Sequence, residues 1–137
     1  MPGLRLYKKE KLCSTVAIEQ LFSRSGAVRS ALAFPVRAVW RQNAKRHSDS
    51  PVAFVISVPK KRLRHAVDRV AMRRRIREAY RLCRPDFPLC EGSRIDLAFV
   101  YVANDLQPYH AVDRAVRRIM AAVQSSAQAL LHDESGE

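Results

Sequence analysis

Apolar and polar residues alternate along two segments of the chain, and this period of two predicts β-strands. In the segment from Ala33 to Arg41, one face carries Phe34, Val36, Ala38 and Trp40. Arg37 and Arg41 share its other face, and Pro35 indicates the end or edge of a sheet. In the segment from Arg94 to Val102, one face carries Ile95, Leu97, Phe99 and Tyr101. Val52 to Val58 is almost continuously apolar, which predicts a central strand covered on both faces.

A helical period predicts three helices. The first begins at Ser14 or Thr15, either of which can cap it, and ends between Ser23 and Gly26. Its apolar stripe consists of Ile18, Leu21 and Phe22. The second is Ala66 to Cys83, which no Gly or Pro interrupts. The third has Pro108 in its first turn and runs to about Leu131. Its core stripe is Val112, Ala115, Val116, Ile119, Met120, Val123, Ala127 and Leu130.

The order helix, strand, strand, helix, strand, helix predicts an α+β fold with a mixed sheet of three or four strands and helices packed on it. A chain of 137 residues without an internal repeat is expected to form a single domain, residues 1–137. Residues 1–6 and 132–137 are expected to be flexible ends.

Positive charge is concentrated on the second helix and the segment before it. Lys60 to Arg84 contains eleven Lys or Arg and two acids, so it carries +9 of the formal net charge of +12. On a helical wheel, Met72, Ile76, Ala79, Tyr80 and Cys83 form one arc, with Arg69 at its edge, and Arg73, Arg74, Arg77 and Arg81 form another. The first arc is suited to a core. The second needs an anion across it, because charged faces without a partner usually mix both signs.

A sequence pI near 10.5 predicts a polyanionic partner, most commonly a nucleic acid. An anionic membrane is the weaker alternative, because the basic helix lacks a bulky apolar face that could insert into lipid. We see no signal peptide and no span of ~18 apolar residues. Three cysteines without a C-x-x-C spacing argue against a disulfide framework or a zinc site and favour a reducing, cytoplasmic setting.

Two His/Asp pairs are the candidates for catalysis by the protein itself. His65 and Asp68 are three residues apart, as are His110 and Asp113, so each pair can meet on a helix surface. Neither pair is accompanied by a nucleophile or a further acidic cluster, and the four glycines form no phosphate loop. We therefore expect no catalytic residue and no metal site.

Three runs resemble the bacterial ribonuclease P protein component. They are Ile56-Ser-Val-Pro-Lys-Lys, Ala66-Val-Asp-Arg, and Arg73-Arg-Arg-Ile-Arg-Glu-Ala-Tyr-Arg. Lys11-Leu-Cys-Ser with Ile18-Glu-Gln-Leu-Phe and the run Phe34-Pro-Val-Arg-Ala-Val are similar to that family's first helix and first strand. The resemblance covers roughly residues 7–131 and implies a two-layer α/β sandwich with three helices and an unusual left-handed βαβ crossover.

The resemblance also implies a function. Members of this family assist a catalytic RNA in removing the 5′ leader from precursor tRNA, with Mg²⁺ bound mainly through the RNA. By position, Ile18, Phe22 and Arg37 would line the leader site. The contacts to the RNA subunit would be Lys60, Lys61, Arg69, Arg73, Arg74 and Arg77. The implied partners are these two RNAs, with no membrane and no obligatory protein partner.

One departure from the family pattern concerns its Arg-Asn-Arg motif, where this chain has Arg69-Val70-Ala71. A ribosomal or other structural RNA-binding module with the same charge layout remains the alternative function. A DNA-binding protein is less favoured, because the helix has no Asn or Gln to reach base edges. A nuclease that acts without an RNA subunit is the least favoured reading.

Overall fold

The computed structural model describes residues 18, 22, 28–42, 52–88 and 94–135, with side chains as far as residue 126. These ranges contain four strands, β1 (Arg29–Ala33), β2 (Val36–Gln42), β3 (Val52–Ser57) and β4 (Ile95–Tyr101). They also contain two helices, α1 (Ala66–Cys83) and α2 (Tyr109–Ser135), and one 3₁₀ turn at Arg84–Asp86. The predicted α+β class is confirmed.

The strands form one mixed sheet in the order β1, β2, β4, β3. β2 is antiparallel to both β1 and β4, whereas β3 and β4 are parallel and are connected through α1. The left-handed sense of that crossover stays a prediction. The central position predicted for β3 is wrong, because β3 lies at the edge of the described sheet and pairs with β4 alone. The strand is apolar because other side chains pack on both of its faces. They bury Val52, Ala53 and Phe54 although β3 is at the edge.

The segment predicted as the first strand, Ala33 to Arg41, is part of a hairpin formed by β1 and β2. Phe34 and Pro35 form the turn between β1 and β2, and the peptide bond between them is cis. Phe34 is 65% exposed, so its predicted place on the buried face of β2 is wrong. A proline has no N–H for the sheet ladder, which favours the turn over the strand. The carbonyl of Pro35 accepts a hydrogen bond from the N–H of Val102 at 2.9 Å, and this bond ties the turn to the end of β4.

The main core lies between one face of the sheet and the two helices. Helix α1 buries the predicted set Met72, Ile76, Ala79, Tyr80 and Cys83. The ring of Tyr80 lies 4.8 Å from that of Phe54 and 5.7 Å from that of Phe99, measured between centroids. Helix α2 buries Val112, Ala115, Val116, Ile119, Met120 and Val123. The apolar face predicted for β4 is also confirmed, since Ile95, Leu97, Phe99 and Tyr101 belong to this core.

The opposite face of the sheet carries a smaller apolar cluster. Val39, Ala53 and Ala98 are buried there, and Ile18, Val28 and Val55 pack against them. Two of the three buried side chains are alanines, which lets a covering segment approach the sheet closely. The predicted first helix lies outside the described residues except for Ile18, which is helical, and Phe22. The described part of the chain therefore shows two helices where three were predicted.

Helix α2 differs from its prediction at both ends. The carbonyl of Pro108 accepts hydrogen bonds from the N–H groups of Ala111 and Val112, so Pro108 immediately precedes the helix. The helix ends at Ser135, four residues beyond the predicted Leu131. The side chains of Ala127 and Leu130 lie outside the described part, and flexibility of residues 1–6 and 132–137 stays a prediction.

Candidate nucleic-acid interface

The exposed arc of α1 carries cations that have no acidic partner among the described residues. Arg73, Arg74 and Arg77 are exposed, and none of the three forms an ion pair with a described residue. Arg81, the fourth member of the predicted arc, differs, because its Nε donates to Oε2 of Glu78 at 3.1 Å. This bond lowers the pKa of the Glu78 carboxyl. Three guanidinium groups on adjacent turns are thus exposed without an ion pair to the described part of the chain.

The segment from Pro59 to His65, which we call the approach, adds cations at the start of α1. The N–H groups of Arg62 and Leu63 both donate to the carbonyl of Pro59, which forms a turn. Buried Leu63 anchors that turn, while Lys60 and Lys61 remain exposed. Nη1 of Arg62 donates to Oδ1 of Asn104 at 3.2 Å, which joins the approach to the loop after β4.

Arg69 holds the approach against α1. Its Nη1 donates to the carbonyls of Leu63 and Arg64, at 3.0 and 2.9 Å, and the residue is half-buried. A planar guanidinium with several donors suits two adjacent carbonyls. The structure therefore gives Arg69 an internal structural role in addition to the RNA contact predicted for it.

Val70 lies on the surface of α1, at the position where the resemblance noted in the sequence implies a polar residue. It is 38% exposed, and its neighbour one turn earlier, Val67, is 78% exposed. Their side chains form an apolar interruption beside Arg73 and Arg74. The departure noted in the sequence therefore lies on an accessible surface rather than in the core.

Other arginines of the basic segment and of α2 are engaged within the protein. Nη1 of Arg75 donates to the carbonyl of Gln107 at 2.6 Å. Nη1 of Arg117 donates to Oδ2 of Asp86 at 3.0 Å, and its Nε contacts the carboxylate of Asp113 at 3.3 Å. Sequence reasoning did not separate these cations from the free ones. The spacing i, i+4 of Asp113 and Arg117 was a usable sequence signal for one of these bonds. The bond from Arg75 to Gln107 joins residues far apart in the sequence, so local spacing could not predict it.

Arg37 lies on the sheet face opposite α1 and α2. Strand pairing places Leu32, Arg37, Val100 and Ser57 in one row across the four strands. The side chains of Leu32 and Arg37 are exposed. This end row is next to the row of Val39, Ala98 and Val55. Ile18 packs on the apolar cluster around Val39 and Ala98. Phe22, four residues after Ile18 in the sequence, is 53% exposed.

The predicted site residues thus fall into two groups on opposite sides of the sheet. The cations of α1 lie on the helix side, and Arg37 and Ile18 lie on the other. Ser57, at the end of β3, leads within three residues to Lys60, so the approach leaves the sheet at the same end as Arg37. By strand register, Lys60 and Arg37 therefore lie toward the same end of the sheet.

The residues considered for catalysis form no reactive group. His65 and His110 are exposed, and neither makes an ion pair with a described acid. Burial raises the pKa of the Cys83 thiol to about 11, so this cysteine is protonated at neutral pH. Among the described residues, no three His, Cys, Asp or Glu side chains are grouped so that they could hold a metal ion.

In the part of the chain that the structure describes, no helix combines the length and the hydropathy that a membrane span requires.

Sequence reasoning missed the strand β1 and the exposed side chains of its hairpin. Leu32 is 70% exposed, and with Phe34 it forms an apolar tip next to Arg37. The run Arg-Ser-Ala-Leu-Ala has little of the β-branched or aromatic content that marks a strand. The Phe34-Pro35 dipeptide was the available turn signal.

Sequence comparison shows which known proteins this chain is similar to. A sequence model of the Ribonuclease P family matches residues 6–124. The chain is 32% identical over 133 residues to the ribonuclease P protein component of Porphyromonas gingivalis strain W83, covering 92% of this chain and 94% of that protein. It is 33% identical over 129 residues to the protein of the same name from strain ATCC 33277, covering 89% and 91%. With this coverage, and with its basic helix packed on a four-stranded mixed sheet, the chain belongs to the family of ribonuclease P protein components.

Proposed function

We propose that this chain is the RNA-binding protein subunit of a ribonuclease P, an endonuclease that removes the 5′ leader from precursor tRNA. The RNA subunit carries out the cleavage, and the protein binds RNA without catalysing the reaction itself. Family membership supports this role. The observation that carries it is the set of exposed arginines on α1, Arg73, Arg74 and Arg77, without acidic partners among the described residues.

The basic surface of α1 and the approach contacts the RNA subunit. Its members are Lys60, Lys61, Arg69, Arg73, Arg74 and Arg77. An A-form RNA backbone presents phosphates in a row, and each phosphate neutralised by Lys or Arg releases bound counterions. The free guanidinium groups follow such a row along the helix axis, while Arg69 also fixes the approach that carries Lys60 and Lys61.

The opposite sheet face holds the precursor leader at Ile18, Phe22 and Arg37. A single RNA strand is bound by aromatic stacking and by cations that follow its backbone. Phe22 and Arg37 offer one group of each kind, and both are exposed. Such contacts require no particular base sequence, which suits a subunit that must accept the leaders of every tRNA.

Magnesium ions act at the phosphates of the RNA. Mg²⁺ prefers oxygen ligands and is commonly held through phosphates with few protein carboxylates. The described residues offer no cluster of acids for it, so we assign no metal ligand to this chain. We place the complex in the cytoplasm, where a free, buried thiol such as Cys83 remains reduced, and we assign it no obligatory protein partner.

Reconstitution tests this function directly. Purified protein is added to a bacterial ribonuclease P RNA at low magnesium concentration, and leader removal from precursor tRNA is measured. We expect a faster reaction than with the RNA alone, and no cleavage by the protein alone. Equal rates with and without the protein would contradict the proposal. Cleavage by the protein alone would instead support a nuclease that needs no RNA.

Matched charge variants test the surface that we assign to the RNA subunit. Arg73→Ala, Arg74→Ala and Arg77→Ala each remove a free cation, whereas Arg81→Ala and Arg117→Ala remove cations that are bound to acids. We expect each of the first three to weaken RNA-subunit binding and to reduce its salt slope by about one. The two controls change the net charge equally and should leave the slope nearly unchanged. The same loss in all five variants would show that net charge alone matters.

A structural RNA-binding module is the alternative function, and family membership does not favour it. The discriminating measurement compares the affinity of the reconstituted complex for precursor and mature tRNA. Only a leader site gives the precursor an advantage, and equal affinities would leave the alternative standing.

A further inference from the structure

The β1–β2 hairpin presents two large apolar side chains to solvent at its tip. Leu32 is 70% exposed and Phe34 is 65% exposed, whereas most of the other large apolar side chains in the described strands are buried. The tip is held in place, because buried Pro35 accepts the hydrogen bond from Val102 and β1 is paired with β2 along five residues. Phe34 is therefore an exposed ring on an anchored turn.

The hairpin itself carries charge of one sign. Residues 28–42 contain three arginines, Arg29, Arg37 and Arg41, and no Asp or Glu. Leu32 is the cross-strand partner of Arg37, so an apolar side chain and a guanidinium group lie side by side on one sheet face. A second copy of the chain bound at this tip would bring two such positive hairpins together, which like-charge repulsion disfavours. A polyanion with flat apolar groups fits both features.

We propose that the hairpin tip is a second single-stranded RNA contact, in which Phe34 stacks on an unpaired base and Arg37 neutralises an adjacent phosphate. Exposed aromatic rings beside cations are the groups by which proteins hold single strands without reading their sequence. This inference rests on the proposed leader site and extends it. The strand that passes Phe22 and Arg37 continues over the end row of the sheet to the β1–β2 turn.

The experiment compares two variants on precursor tRNAs that differ in leader length. Phe34→Ala removes the ring, and Phe34→Trp keeps a stacking surface. The dissociation constant of the reconstituted holoenzyme is measured for leaders from one nucleotide to about ten. We expect Phe34→Ala to weaken binding about fivefold or more for long leaders. A loss of about fivefold is the lower end of the range for removing one base–aromatic stacking contact. Binding of the one-nucleotide leader should be unchanged, and Phe34→Trp should bind like the unaltered protein.

Abasic leader nucleotides identify the base that stacks. Each leader position is replaced in turn by an abasic nucleotide, and binding is measured with the unaltered protein and with Phe34→Ala. At one position the abasic substitution should weaken binding by the unaltered protein and should cause no further loss with the variant. Independent losses at every position would overturn the inference, because ring and base would then not interact.

The outcomes separate this inference from the function on which it rests. If the unaltered holoenzyme gains no affinity from a longer leader, the leader site itself is wrong. If it gains affinity that Phe34→Ala retains, only the hairpin contact is wrong. An equal loss at all leader lengths, or a protein dimer that Phe34→Ala dissociates in sedimentation, would assign the tip to another partner and overturn the inference. Thermal unfolding of the variant checks that this exposed substitution leaves the fold intact.

Discussion

The guanidinium of Arg69 bonds to two consecutive carbonyls of the approach, and this geometry distinguishes it from Arg73 one turn further along α1. Lysine keeps the positive charge but lacks the trigonal Nη1 whose two N–H groups meet both carbonyls. We expect Arg69→Lys to lower the free energy of unfolding by about 1 kcal/mol and to expose the approach to trypsin at Lys60 and Lys61. Limited proteolysis and denaturant unfolding measure these effects.

Arg73→Lys is the matched control, because the guanidinium of Arg73 makes no ion pair with a described residue. It should leave unfolding and the trypsin pattern unchanged. If both lysine variants show the same proteolysis, Arg69 does not hold the approach.

Cys83 provides a second prediction at the scale of single residues. Because burial raises its pKa to about 11, roughly one thiol in a thousand is ionised at pH 8 in the folded protein. In a Cys13→Ser, Cys90→Ser background, we expect Cys83 to react with a thiol reagent far more slowly in the folded than in the urea-unfolded state. Equal rates would contradict the burial.

The raised pKa also links Cys83 to stability. The folded state holds the thiol proton to higher pH than the unfolded chain, in which the thiol has its ordinary pKa of about 9.0. The contribution is therefore fully present below about pH 9 and is lost as pH rises toward 11. A Cys83→Ala variant should lack this part of the pH dependence of unfolding.

At the scale of the element, α1 is a basic helix whose surface is interrupted by Val70 and Ala71. Restoring polar groups with Val70→Asn and Ala71→Arg should tighten binding to the RNA subunit and steepen its salt dependence by about one ion for one added phosphate contact. Binding titrations at several salt concentrations measure both quantities. An unchanged affinity together with an unchanged slope would remove this part of α1 from the RNA interface.

Two controls separate position from charge. Val70→Asn alone adds no charge and should leave the salt slope unchanged. Ala121→Arg adds one cation at an exposed position of the other helix, α2. If Ala121→Arg has the same effect as Ala71→Arg, the gain comes from net charge and not from the helix surface.

At the scale of the whole molecule, the sheet separates the two proposed RNA contacts. Arg73 lies on the helix side, and Arg37 lies on the opposite face. Substitutions at distant sites without shared partners usually add within about 0.5 kcal/mol. We therefore expect the binding losses of Arg37→Ala and Arg73→Ala to add in the double variant. Arg37→Ala should reduce discrimination for precursor over mature tRNA. Arg73→Ala should reduce affinity for the RNA subunit.

A large coupling between the two substitutions, measured on the same holoenzyme, would contradict this separation. It would mean that one RNA strand contacts both sides of the protein.

Local spacing in the sequence was enough to predict α1 and its two faces. Its bounds, its five buried side chains and the inward face of β4 are as predicted, because helix pitch and strand alternation depend on neighbouring residues. Helix spacing also placed Arg73, Arg74 and Arg77 on the exposed arc, but it did not separate them from Arg81, which is bound to Glu78. Arg69 was placed correctly at the edge of the buried arc, but its bonds to Leu63 and Arg64 could not be predicted, since they depend on how the approach turns.

The sequence by itself determined a basic, amphipathic helix, the inward face of β4 and the charge that calls for a polyanion. The tertiary structure decided the edge position of β3, the Phe34-Pro35 turn, and which arginines are bound to acids or carbonyls. The physical reason is the distance along the chain between the residues that determine each feature. Periodicity arises within a few residues, whereas strand order and the contacts of Arg75 and Arg117 join residues about thirty positions apart, where the folding of the whole chain selects among many possible partners.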